Sequence, residues 1–141
     1  MSAQTTLISS EEFWKLIGEG RRCELVRGEV VEMAPAEGLN GDTDNNIAFL
    51  LTTHVRQGDL GKIFAAETGF IISRNPDTVR APDVSFVPKD RLPIGGVPSG
   101  FLPMTPDFVV EVVSPSDYAT VVQEKAEMWL MAGVRLIWVV Y

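Results

Sequence analysis

The stretch "PDFVVEVVSPSD", Pro106 to Asp117, decides how the rest of the chain is read. Val109, Val110, Val112 and Val113 form a nearly continuous apolar run, the pattern of a central strand covered on both faces. Glu111 interrupts that run. A carboxylate in such a layer costs several kcal/mol unless a partner neutralises it. The fold must therefore supply that partner.

The next segment of the chain supplies one. Residues 119 to 132 have helical periodicity, Gly133 stops the helix, and "RLIWVVY" reads as a final strand. A strand–helix–strand unit closes as a right-handed crossover with parallel strands, so the helix packs back over the strand it left. On a wheel of about 100° per residue, Lys125 falls within the sheet-facing arc with Val122, Ala126, Trp129 and Ala132. Val121 lies at the edge of that arc, and Gln123, Glu124 and Glu127 lie on the far side. Lys125 is thus the natural partner of Glu111.

Upstream, "DTDNNIAFLLTTHVR" (42–56) predicts a helix. Asp42, Thr43 or Asp44 can cap it, and Ile47, Leu50, Leu51, His54 and Val55 form its buried stripe, with His54 as a satisfied core histidine. "KIFAAETGFII" predicts one strand kinked near Gly69, "NPDT" a turn, and "VRAPDVSFVP" a second strand. "SSEEFWKL" predicts a short helix capped by Ser9 or Ser10, and "CELVRGEVVEM" a hairpin turning at Arg27-Gly28. "APAEGLNG" and the Pro- and Gly-rich Lys89–Pro106 read as loops. The order predicts an α/β (α+β) fold: a mixed β-sheet flanked by helices, preceded by an N-terminal helix and a β-hairpin. With 141 residues, the chain fits a single domain spanning 1–141.

A net charge of −7 argues against gripping nucleic acid by bulk electrostatics, and leaves room for a site whose charge metal ions correct. No run reaches the length of a membrane span, and "MSAQTTLISSEEFW" has neither the basic nor the apolar part of a signal peptide. The single Cys23 has no cysteine to pair with and no His or Cys cluster near it, so it reads as inert. These features predict a cytoplasmic protein with no membrane partner.

Asp83 adds a second acid. Alternation along "RAPDVSFV" puts Asp83 and Ser85 on one face, and Val84 and Phe86 on the other. Two interior carboxylates and one interior lysine form the elements of a metal site for Mg²⁺ or Mn²⁺, with an amine to orient water or stabilise phosphoryl charge. Asp107, about 13 Å from Glu111 along the strand, reads as a strand-entry residue. Arg80, Lys89 and Arg91 flank the Asp83 strand and are candidates to meet a phosphate backbone. Trp14, Trp129 and Trp138 read as core or interface residues.

Pro82-Asp83, Glu111 and a nearby lysine resemble the PD-(D/E)XK nuclease superfamily. The segments "CELVRGEVVEM", "AETGF", "RAPDVSFV", "PDFVVEVVSPSD" and "EKAEMWLMAGVRLIWVV" are similar to the Uma-two family of restriction endonucleases over nearly the whole chain. The resemblance implies a restriction-endonuclease-like core and a metal-dependent endonuclease hydrolysing phosphodiester bonds of DNA. Asp83 and Glu111 then match the family's metal carboxylates, and Glu67 of "AETGF" matches a further acid on the preceding strand. The superfamily places its lysine two residues after the second acid, where this chain has Val113; Lys125 takes that role from the following helix. The family's His-Gly pair is replaced by Asn40-Gly41, and the family continues with further strands where this chain stops at Tyr141. A homodimer is the assembly expected of a small nuclease that cuts both strands. The alternative is a non-catalytic module of the same fold, in which Glu111 and Lys125 form a structural pair serving binding or assembly.

Overall fold

The computed structural model describes residues 4–141; Met1–Ala3, the start of the segment read as lacking a signal peptide, lie outside the described residues. The described residues form two four-stranded sheets and three α-helices. The first sheet contains β1 (Cys23–Val26), β2 (Glu29–Glu32), β4 (Phe70–Ser73) and β5 (Thr78–Arg80), in the order β2-β1-β5-β4 and antiparallel throughout. The second contains β3 (Gly61–Phe64), β6 (Val84–Pro88), β7 (Phe108–Val112) and β8 (Leu136–Val140), in the order β3-β6-β7-β8. Its β7 and β8 are parallel, as the crossover through α3 (Ala119–Met131) requires.

The N-terminal helix and the hairpin stand where the sequence put them. α1 (Ser10–Leu16) starts with a reciprocal capping box between Ser9 and Glu12. Arg27 and Gly28 have φ of 50° and 80°, the positive pair that lets a two-residue turn match the strand twist.

Two expectations are corrected. The segments read as single strands, "KIFAAETGFII" and "VRAPDVSFVP", are each broken in two and shared between the sheets. β3 and β6 pair in one sheet, while β4 and β5 pair in the other. The breaks fall at the Ala65–Gly69 turn and at Ala81-Pro82, where proline supplies no ladder donor. Second, the helix expected from residue 42 is α2 (Gly38–Gly58), which takes in part of the expected "APAEGLNG" loop. Its inward stripe is Asp44, Ile47, Ala48, Leu51 and Val55; Leu50 and His54 are exposed, so His54 is not a core histidine. Val121 of α3, at the edge of the predicted arc, is also exposed.

α2 lies against β3, β6 and β7 on one face of the second sheet. On the opposite face Val87 packs with Phe70 and Leu102, and Val109 packs with Trp129, Val134 and Ile72. The first sheet turns Phe70 and Ile72 toward this layer and Leu25 and Val79 away from it, onto Phe13 of α1. The long 89–106 segment is anchored rather than free. Leu102 is buried and bridges to Phe70, and the ring of Phe101 stacks on Phe13 at 5.5 Å and meets Trp14 edge-on at 5.0 Å. Among the described residues, no helix is long and apolar enough to cross a membrane.

Candidate active site

The layer between the sheets is apolar at one end and charged at the other. β6 and β7 pair antiparallel, with Val84 opposite Val110 and Ser85 opposite Val109. Continuing that register by one residue sets Asp83 opposite Glu111, on the same face of the sheet. The two are locked together further by the backbone: Val112 N–H donates to Asp83 Oδ2 at 2.7 Å.

Glu111 is 8 % exposed. Its Oε1 accepts from the indole Nε1 of Trp129 at 2.8 Å, and its Oε2 accepts from Lys125 Nζ at 3.1 Å. Trp129 and Lys125 are four residues apart on α3, so one helical face delivers both donors. The strand's anomalous carboxylate is therefore fully engaged. Burial nevertheless raises its pKa to about 7, opposed by Lys125 and reinforced by Asp83. Burial also raises Asp83, against the lowering effect of the Val112 amide. The Lys125 ammonium is held charged: burial works against it, and Glu111 and then Glu24 outweigh that cost.

Glu24 was not among the expected site residues. It lies in β1, where Leu25 opposite Val79 sets Glu24 opposite Arg80 of β5. It is 3 % exposed, with Oε1 at 3.5 Å from Lys125 Nζ and Oε2 accepting from Arg80 Nη1 at 3.2 Å. "CELV" carries no sequence signal that its acid is buried beyond alternation against Cys23 and Leu25, and alternation alone points a strand acid outward. Asp44 was expected only as a helix cap. It instead turns inward from α2, with Oδ1 buried and lacking a hydrogen-bond partner. Burial, and then the nearby charge of Asp83, raise its pKa to about 6.

These groups line one cleft of about 510 Å³, into which Glu24, Asp44, Asp83, Glu111 and Lys125 all face. Glu67 lines the same cleft from the turn between β3 and β4, not from a strand. It is exposed and paired with Arg22 Nε at 3.4 Å. Among the described residues, no three His, Cys, Asp or Glu side chains are grouped closely enough to form a ready-made metal cluster. The three cations expected to meet phosphate are each paired with a carboxylate: Arg80 with Glu24 of the cleft, Lys89 with Asp59, and Arg91 with Asp107. Asp107 stands at the entry of β7, as expected.

Two sheets, a parallel crossover unit and a cleft with carboxylates at the open end of β6 and β7 make up a nuclease-like fold. A solved structure shares it: that of a "putative nuclease belonging to DUF820" from Anabaena variabilis ATCC 29413. The two are 21% identical, with a TM-score of 0.79 over 94% of this chain and 73% of that one. The family model described as Uma2, "Putative restriction endonuclease", matches residues 10–141, and the chain belongs to that family. No curated protein matches the sequence.

Proposed function

We propose that this protein is a metal-dependent endonuclease that hydrolyses phosphodiester bonds of DNA in the cleft of Asp83, Glu111 and Lys125. The observation that carries the reading is the β6–β7 register, which runs on from Val84–Val110 toward Asp83 and Glu111, together with the Asp83 bond to the Val112 amide and the Lys125 amine on Glu111. The donor chemistry fits a hard divalent cation. Asp83 leaves Oδ1 outside its hydrogen bond to Val112, Asp44 Oδ1 is buried without a partner, and Mg²⁺ sites commonly use only one or two carboxylates beside water and phosphate. Asp83 and Glu111 would hold Mg²⁺ or Mn²⁺, with Glu67 at the rim as a further oxygen donor. When bound, the ion supplies positive charge that polarises a phosphoryl oxygen and acidifies water.

The chain's own groups do the rest. Lys125 holds a water by one of its N–H bonds for in-line attack at phosphorus and stabilises the charge that grows on the phosphoryl oxygens. The Trp129 indole fixes one oxygen of Glu111 and so sets the direction of the other. Charge supports the requirement for a cation. A cleft lined by Glu24, Asp44, Asp83 and Glu111 repels a phosphate backbone until its carboxylates are neutralised. A homodimer, one cleft per strand, extends the reading to double-strand cleavage, and sedimentation would test it.

Nicking of supercoiled plasmid tests the reading. Cleavage is expected with Mn²⁺ or Mg²⁺, none with EDTA, and none from Asp83→Asn or Glu111→Gln. Cleavage that survives both substitutions contradicts it. A second reading, a non-catalytic nuclease-fold module, is favoured by one observation: both oxygens of Glu111 already have protein donors, as in a structural pair. A folded wild type that neither binds divalent ions nor cleaves would select it.

A further inference from the structure

Glu24 and Arg80 belong to a different sheet from Asp83 and Glu111, yet they end at the same lysine. The chain of contacts runs from Arg80 Nη1 to Glu24 Oε2 at 3.2 Å, from Glu24 Oε1 to Lys125 Nζ at 3.5 Å, and from Lys125 Nζ to Glu111 Oε2 at 3.1 Å. Charges alternate along it, and the side chains of all four are at most 19% exposed. Arg80 is itself fixed by a contact from Nε to Met128 Sδ at 3.2 Å, on the helix that carries Lys125.

A simple neutralising pair would need only Glu111 and Lys125. Burying a second acid and a second cation is expensive unless each is well placed, so the extra pair calls for a reason. Lysine has a flexible four-carbon stem and three rotatable donors, and one carboxylate leaves its amine free to swing about that contact. A second carboxylate from the opposite side restricts the swing. We infer that Glu24 is a positioning residue: with Arg80 holding its far oxygen, it clamps Lys125 so that the amine's remaining N–H faces the cleft. This rests on the proposed nuclease reading for the reaction, but not for the clamp itself.

Glu24→Gln keeps the shape and removes the charge. Two measurements on the intact protein are read together. Labelling of Lys125 by an amine-selective reagent, followed by mass spectrometry, is expected to speed up about tenfold, the weight of one charge-assisted contact, with hydrogen exchange along α3 unchanged. In plasmid cleavage, turnover is expected to fall about tenfold or more, with KM for DNA and the affinity for Mn²⁺ unchanged. A purely structural role would alter stability and leave both the labelling and the turnover per folded molecule as they were, and that result would overturn the inference. So would a loss of Mn²⁺ affinity equal to the loss of turnover, because Glu24 would then act on the carboxylates and not on the lysine.

If Glu24→Gln does not fold, Arg80→Gln serves in its place. In that variant Glu24 loses the partner that holds its far oxygen, so the clamp predicts faster labelling of Lys125 and lower turnover than in the wild type; wild-type labelling with wild-type turnover would contradict the clamp. A wild type that cleaves nothing while the labelling contrast persists removes the nuclease reading and leaves the clamp standing, so the two failures are distinct.

Discussion

Trp129 gives its indole N–H to Oε1 of Glu111 at 2.8 Å, and that one bond ties the core of the protein to its charged cleft. The indole is fully buried against Val109 and Val134, so it can direct a carboxylate only because packing fixes its own position. Trp129→Phe keeps most of the packing and removes the donor. It should destabilise the fold by about 3 kcal/mol, from an unsatisfied buried acceptor plus a small void. Urea unfolding measures this; a cost under about 0.5 kcal/mol would mean that the bond contributes little.

Stability should depend on pH through Glu111. Its carboxyl titrates at about 7 in the fold against 4.5 for an ordinary glutamate, so the folded state binds the proton more tightly than the unfolded state. The contribution is therefore full below pH 4.5 and is lost as pH rises through about 7. Asp44 and Asp83 are raised in the same sense. Lys125 is raised from 10.5, so its contribution does not change in this window. Between about pH 5 and 8 the unfolding free energy should fall by on the order of 3 kcal/mol in metal-free buffer, and Glu111→Gln should flatten most of that slope. An unchanged slope in Glu111→Gln would place the titration elsewhere.

Gly61 begins the edge strand β3 at φ 153°, and a Cβ there would stand 2.2 Å from the carbonyl oxygen of Val87 on β6. Backbone cannot swing aside as a side chain can. Gly61→Ala should therefore cost about 3 kcal/mol and separate β3 from β6. The change would register as a lower urea midpoint and as faster amide exchange at Lys62 and Phe64.

Strong local signals in the sequence mark the core of the candidate site. A lone acid among valines, a lysine on the inner arc of a helix and a Pro-Asp before alternating residues each have one sensible place to go, and these residues do converge. The two-sheet arrangement was less legible. Whether a strand with a break near Gly69 or Pro82 continues in the same sheet depends on partners distant in sequence, such as the β1 register against β5. Glu24 and Asp44 were hidden for the same reason: a strand acid or helix acid reads as exposed until a second element covers it. The Leu50 and His54 positions erred in the opposite direction, because the inward face of α2 is centred on Asp44, Ile47, Leu51 and Val55, which turns Leu50 and His54 toward its edge and outward.

The most direct measurement is titration calorimetry of Mn²⁺ into the wild type, Asp83→Ala and Glu111→Ala at about pH 8, with and without a DNA duplex. Binding in the wild type that disappears in both variants is the result the proposed site predicts, with Asp83 and Glu111 sharing one ion. Binding that persists in both variants, or a folded wild type that takes up no ion even with DNA present, would contradict the shared carboxylate site.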